Sequence, residues 1–211
     1  MKRTYLHTLP VRIWHWLNAL CFFGLIITGA QIRYRGILNW MEFPLAVNLH
    51  NQFGFLLIGS FLIWAVYYLF TGRIKVYLPD ILHPVEYVTA AVKQAWYYGY
   101  GIFVGEKNPH HATLDHKFNP MQQVSYFGIM FFLLPAQIVT GILLWDLDRF
   151  ASFIDLLGGI KITSGLHMLL TIIFTAFLFV HVYLTTLGRT PMEHIKAMFT
   201  GYEEEETEKA G

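Results

Sequence analysis

Four long apolar segments divide the chain, at residues 13–32, 46–70, 122–145 and 162–187. A helix that crosses a bilayer needs about 20 predominantly apolar residues, and each segment reaches that length. The sequence therefore predicts an all-α membrane protein, a bundle of four transmembrane helices in one domain over residues 1–211. We call these helices spans one to four.

The remaining segments are more polar. The connection between spans two and three, residues 71–121, mixes polar and apolar positions, which favours one or two short helices at the membrane interface. The tail, residues 202–211, is an acidic run that we expect to be mobile.

Composition agrees with a membrane protein. Hydrophobic residues make up 55% of the 211 residues and charged residues 14%, whereas about a quarter of a soluble domain is charged. A formal net charge of +1 argues against the clustered basic face that nucleic acids require, so we expect no nucleic-acid partner. The single cysteine, Cys21, excludes an internal disulfide and a cysteine-rich iron–sulfur site.

Lysine and arginine positions predict the orientation. With a cytoplasmic N-terminus, 11 of the 15 Lys and Arg residues fall in inner segments. Since positive charge marks the cytoplasmic side, we expect both termini and the long loop 71–121 to be cytoplasmic.

Span one also resembles a secretory signal, with Lys2 and Arg3 before an apolar core. The aromatic and charged sequence "RIWHW" at its start favours a retained membrane helix.

Four histidines lie within the spans. In this orientation His15, at the start of span one, and His181, near the end of span four, lie close to the cytoplasmic face. His50, near the start of span two, and His167, near the start of span four, lie close to the outer face. Depth therefore sorts them into an inner pair, His15 with His181, and an outer pair, His50 with His167.

Span four carries one member of each pair. His167 and His181 are 14 residues apart, about 21 Å at 1.5 Å per residue, out of an apolar bilayer thickness of about 30 Å. Fourteen steps of about 100° complete almost four turns, so both imidazoles point to nearly the same side of the helix. One helix can then supply a ligand near each membrane face.

Paired histidines suggest a cofactor. Any one of these histidines alone could simply hydrogen-bond a neighbouring helix, but four at matched depths favour ligands because polar groups in membranes usually serve a function. Two imidazoles leave a zinc ion short of ligands, whereas haem iron needs only two axial ligands. The pattern predicts two b haems, with iron held by His15 and His181 inside and by His50 and His167 outside.

Three arginines near the ends of span one are candidates to bind the anionic haem propionates. Arg33 and Arg35 follow its outer end, against the charge trend, and Arg12 lies at its inner end. Extension of each arginine to lipid headgroups is the alternative. Glycines in the spans would let either a macrocycle or a neighbouring helix approach closely: Gly24, Gly29, Gly54, Gly59 and Gly165.

The chain resembles a known family, and the resemblance covers all four spans. "VRIWHWLNALCFFGLIITG", "KFNPMQQ" and "LHMLLTIIFTAFLFVHVYLTTLGRTPMEHIKAMFTGYEE" are similar to the di-haem cytochrome b subunits of bacterial formate dehydrogenases, nickel–iron hydrogenases and thiosulfate reductases, within the bacterial cytochrome b561-like superfamily. The resemblance implies the same two histidine pairs and a place in the bacterial inner membrane.

The resemblance also implies a quinone site, for menaquinone or ubiquinone, beside the inner haem. The family motif K-[YF]-N-x-x-Q at the start of span three is matched by Lys117, Phe118, Asn119 and Gln122. Asn119 would contact a quinone carbonyl, with His181 close by. From the residues alone, Asn119 is equally suited to cap a helix that begins at Pro120.

The expected function is electron transfer between a periplasmic partner, an iron–sulfur or multihaem cytochrome subunit, and the quinone pool. The chain would be the membrane subunit of a respiratory oxidoreductase complex, with quinone reduction or quinol oxidation at this chain and no catalytic side chain of its own. The alternative is a stand-alone cytochrome b561 that passes electrons from superoxide to quinone, against which the long inner loop and tail argue. A transporter or assembly anchor without haem is a third hypothesis, and it predicts colourless protein.

Overall fold

The computed structural model describes residues 2–80, 82–110, 118–188 and 190–205. Within them, four helices are long and apolar enough to cross a membrane: Leu9–Arg33, Phe43–Phe70, Pro120–Trp145 and Ile160–Thr185. They match spans one to four to within a few residues at each end. The prediction of an all-α protein with four membrane spans is confirmed.

The chain forms two compact units. The first combines Met1–Ala65 with Ala136–Gly211, and the second is Val66–Pro135. The first unit therefore contains spans one and four, most of span two and the last 10 of the 26 residues of span three.

Ring and hydrogen-bond contacts join the four spans within the first unit. Asn18 of span one donates to Ser60 Oγ of span two over 2.7 Å. Ring pairs add further contacts, Phe22 with Phe174 between spans one and four, and Phe55 with Trp145 between spans two and three. The same unit thus brings together all the helices that carry the predicted histidines.

Proline shapes two of the spans. Span one begins after the extended residue Thr8, with Pro10 in its first turn, where a missing amide hydrogen breaks no helical bond. Span three contains a π-helical segment, Ile129–Leu133, just before Pro135. Because Pro135 cannot donate to the carbonyl of Phe131 and would clash with it, a widened turn at this position is the physical consequence.

The second unit contains the connection between spans two and three. Its main element is the loop helix Pro84–Gly99, flanked by the 3-10 turns Arg73–Tyr77 and Gly101–Val104. Tyr87 on the loop helix donates to the carbonyl of Pro120 over 2.9 Å. The predicted short helix is thus confirmed, while its position at the membrane interface stays a prediction.

The two ends of the chain pair with each other. Lys2–Tyr5 and Tyr202–Glu205 form an antiparallel pair of strands, in which Tyr5 lies opposite Tyr202 with ring centres 5.1 Å apart. The tail thus pairs with the N-terminus as far as Glu205, and its mobility stays a prediction. Residues 206–211 lie outside the described residues.

Two short helices were not predicted. Ala151–Leu156 lies between spans three and four, and the C-terminal helix Glu193–Thr200 precedes the second strand. The C-terminal helix contacts the start of span one, because Trp16 stacks on Phe199 with ring centres 4.3 Å apart.

Candidate cofactor site: two pairs of histidines

The inner pair is brought together as predicted. The ring centres of His15 and His181 lie 6.2 Å apart, with an angle of 49° between the ring planes. Both side chains are half-buried. Aromatic rings support them: Trp16 meets His15 edge to face, and Phe177 stacks on His181 one turn earlier in span four.

The outer pair has nearly the same separation. The ring centres of His50 and His167 lie 6.4 Å apart, with an angle of 69° between the planes. Each ring has a threonine beside its Nδ1 atom. Thr28 Oγ1 lies 2.9 Å from Nδ1 of His50, and Thr140 Oγ1 lies 2.9 Å from Nδ1 of His167.

Both separations fit two axial ligands of one metal ion. A metal–nitrogen bond of about 2 Å on each side, plus the distance from each nitrogen to its ring centre, separates two such rings by about 6 Å. Within the described residues, no group of three or more His, Cys, Asp or Glu could hold a metal ion. The donor set is therefore two imidazoles, which suits iron whose other four ligands come from a porphyrin.

One side chain competes for a ligand nitrogen. The Gln137 amide nitrogen lies 3.2 Å from Nε2 of His167 and donates to Thr171 Oγ1 over 3.1 Å. Because Nδ1 of His167 faces Thr140, Nε2 is the nitrogen left for iron. Binding of iron there requires the Gln137 side chain to move aside.

Two glycines lie against the outer rings. A Cβ atom at Gly29 would come within 3.3 Å of Cε1 of His50, and one at Gly141 within 3.3 Å of Cε1 of His167. Gly24 instead faces the ring of Phe53, so its role is close helix packing. Thr28, Thr140 and Gly141 were not predicted as site residues. Spans one and three share a Thr-Gly dipeptide, which could have indicated them.

The predicted propionate-binding arginines have other contacts. The Arg12 guanidinium donates to the carbonyl of Phe199. Arg33 and Arg35 are exposed at the outer end of span one, with their guanidinium carbons 5.8 Å and 5.2 Å from the ring centres of Tyr34 and Phe43. Their role in propionate binding stays a prediction.

The predicted quinone residues form the start of span three. Asn119 Oδ1 accepts from the backbone N–H of Gln122 over 2.9 Å, and Gln122 Oε1 accepts from the N–H of Asn119 over 3.1 Å. This capping box confirms the expected helix cap. Lys117 lies outside the described residues. The quinone role of Asn119, Gln122, Lys117 and His181 stays a prediction.

A buried polar network extends from this cap into the loop helix. Asn119, 2% exposed, donates to Tyr98 Oη over 3.0 Å, and Gln94, 1% exposed, donates to Asn108 Oδ1 over 3.2 Å. Burial raises the pKa of Tyr98, while hydrogen bonds with Gln94 and Asn119 act in the opposite direction. The buried side chains of Gln94 and Asn119 thus have hydrogen-bond partners within this unit.

Spans and paired histidines together define a multi-pass membrane protein able to hold metal cofactors between its helices. The family model described as prokaryotic cytochrome b561 matches residues 6–201. The chain is also 34% identical over 207 residues to the putative cytochrome YdhU of Escherichia coli (strain K12), an alignment that covers 95% of this chain and 75% of that relative. No solved structure matches.

The chain therefore belongs to the prokaryotic cytochrome b561 family. It is a multi-pass bacterial membrane cytochrome, and the family implies haem b and electron transport. The resemblance found in the sequence is thus confirmed at the level of the superfamily.

Proposed function

We propose that this chain is the di-haem cytochrome b subunit of a respiratory oxidoreductase complex. In this role it carries electrons between a periplasmic redox partner and the quinone pool. The observation that most supports the proposal is that span four contributes one histidine to each of two pairs, with ring separations of 6.2 and 6.4 Å. A single-haem protein would need only one such pair.

Haem b supplies one-electron transfer when it is bound at each pair. The chain's own residues would hold the two irons at different depths, because His167 and His181 are separated by about 21 Å along span four. Electron transfer over this distance would move charge across most of the apolar layer. The free energy of moving one unit charge across the whole membrane is about 2.3 kcal/mol per 100 mV of membrane potential. The redox reaction would then be coupled to the membrane potential.

The proposed orientation follows from the positive charges. With both termini assigned to the cytoplasm, 11 of the 15 Lys and Arg residues would lie in cytoplasmic segments, as the positive-inside rule expects. Pairing of the strands Lys2–Tyr5 and Tyr202–Glu205 agrees with termini on one side. The outer pair, His50 with His167, would then face the periplasmic partner, an iron–sulfur or multihaem cytochrome subunit. The inner pair would face the quinone.

The long connection supports the conduit over a stand-alone superoxide:quinone oxidoreductase. It contains the 16-residue helix Pro84–Gly99 and a buried network at the start of span three. A connection with its own helix and buried hydrogen bonds, in addition to the four spans, suits a quinone site on the inner side. Menaquinone and ubiquinone are both candidates.

Rapid mixing of the detergent-purified full chain with a quinol tests the proposal. We expect a menaquinol or ubiquinol analogue to reduce the haems, and His50→Ala, which removes an outer ligand, to keep quinol reduction of the remaining haem. His15→Ala, the matched inner variant, should abolish this rapid phase. Rapid reduction by enzymatically generated superoxide, suppressed by superoxide dismutase, would instead support the stand-alone enzyme. Colourless folded protein would contradict both.

A further inference from the structure

Both outer histidines have the same local environment, although it is provided by two different helices. Thr28 on span one lies beside His50, and Thr140 on span three lies beside His167, each with 2.9 Å between Oγ1 and Nδ1. Both threonines are 2% exposed. Each is followed by a glycine whose missing Cβ leaves room for the imidazole. A single coincidental contact would not produce two matching arrangements.

The direction of these hydrogen bonds follows from the second partner of each hydroxyl. Thr28 Oγ1 lies 2.6 Å from the carbonyl of Gly24, and Thr140 Oγ1 lies 2.9 Å from the carbonyl of Ala136. A carbonyl can only accept, and a hydroxyl has one hydrogen, so that hydrogen points to the helix backbone. The threonine oxygen is then left as the acceptor for the imidazole.

This direction fixes the imidazole tautomer. Nδ1 of His50 and of His167 must carry the hydrogen that the threonine accepts, which leaves the lone pair on Nε2. Metal-bound histidines usually donate their other N–H to such an outer partner, which orients the ring and raises the basicity of the ligand. At the inner pair, rings of Trp16 and Phe177 pack against His15 and His181.

We propose that Thr28 and Thr140 are positioning residues for the outer haem ligands. They hold the N–H of His50 and His167, fix the ring planes and present Nε2 to the iron. The inference rests on the proposed function only in that haem is bound between these two histidines. Because each threonine hydroxyl is a neutral acceptor, it orients the ligand without drawing the proton away from it.

Loss of the acceptor makes a specific prediction. Thr28→Val and Thr140→Val keep the side-chain shape but remove the hydroxyl acceptor beside Nδ1–H, so the imidazole becomes a weaker donor to iron. A weaker donor favours the reduced state, and the midpoint potential of the outer haem should become more positive. We also expect weaker retention of that haem, by about 10- to 100-fold.

Redox titration with electron paramagnetic resonance of the ferric haems measures both effects in the detergent-purified chain. His50→Ala first identifies the outer component by its loss. Thr163→Val is the matched control, because Thr163 is fully buried and donates to the carbonyl of Gly159 over 3.2 Å in the same backbone pattern. Thr28→Ser and Thr140→Ser retain the hydroxyl and should keep the wild-type potential and ferric spectrum.

Three results would overturn the inference. Unchanged outer potential and ferric spectrum in both Val variants, with two haems in the wild type, would overturn it and leave the proposed function intact. Equal shifts in the midpoint potentials of both haems, or the same shift in Thr163→Val, would show that the substitution loosens helix packing in general. Either result would overturn the inference as well. Absence of haem from folded wild-type protein would overturn both proposals.

Discussion

Gly29 of span one lies against the imidazole of His50, so that a Cβ atom there would be 3.3 Å from Cε1 of the ring. Real Cβ atoms rarely come this close, and the ring would have to shift by a few tenths of an ångström. We therefore expect Gly29→Ala to tilt His50 and change the ferric spectrum of the outer haem alone. Gly141→Ala should do the same through His167, where the distance is also 3.3 Å.

Gly59→Ala is the matched control for both. Gly59 lies on the same helix as His50, a Cβ there would meet nothing within 4 Å, and nine residues turn the helix by about two and a half turns, to the opposite face. If Gly29→Ala and Gly141→Ala gave spectra identical to that of Gly59→Ala, close contact of these glycines with the ligands would be refuted.

Substitution of Asn119 separates its capping role from its predicted quinone role. Asn119→Ser keeps a side-chain oxygen for the cap, whereas Asn119→Ala removes it and should lower the free energy of unfolding by about 1 kcal/mol. If the amide also contacts a quinone carbonyl, both variants should weaken quinol binding. Thermal unfolding and the quinol concentration for half-maximal haem reduction measure the two effects. Normal quinol binding in both variants would refute the quinone contact.

The raised pKa of Tyr98 predicts a pH effect on stability. Burial keeps this phenol protonated in the folded protein above the ordinary tyrosine pKa, while it ionises freely in the unfolded chain. Its stabilising contribution is thus complete below about pH 10 and is lost as the pH rises from there through the folded pKa. Tyr98→Phe should make the alkaline fall in unfolding free energy less steep.

Denaturant unfolding at several alkaline pH values measures this slope. Tyr100→Phe is the control, because Tyr100 is 50% exposed on the same part of the loop. Parallel curves for wild type and Tyr98→Phe would show that Tyr98 is not the group responsible.

Contact between Trp16 and Phe199 predicts that the start of span one, next to His15, stabilises the C-terminal helix. The rings stack at 4.3 Å, and the Trp16 indole donates to the carbonyl of Met198 over 3.1 Å. Phe199→Ala should lower the free energy needed to open the C-terminal segment by about 1 kcal/mol. We expect this change to appear as faster amide hydrogen exchange over residues 193–205. Phe199→Tyr keeps the ring and should exchange like wild type. Equal exchange in Phe199→Ala would contradict this role.

The spans and both histidine pairs were predictable because each depends on a property of a single segment. Apolar length identifies a membrane helix, and position along that helix gives the depth of a histidine such as His181. The cap at Asn119 was also predictable, since Asn before Pro is a local signal.

Contacts between helices were not predictable in the same way. The placement of Thr28 beside His50 depends on how spans one and two are rotated about their axes, and hydrophobic pattern does not determine that rotation in an almost uniformly apolar helix. Pairing of the strand Tyr202–Glu205 with the N-terminus joins opposite ends of the sequence, so the acidic composition of the tail alone could not predict it.

Haem content of the detergent-purified chain, by pyridine haemochrome with a redox titration beside it, tests the two-site arrangement most directly. We predict two b haems per chain that titrate as two components, with His167→Ala losing one component and His181→Ala losing the other. One haem in the wild type, loss of the same component in both variants, or folded protein without haem would contradict two separate bis-histidine sites.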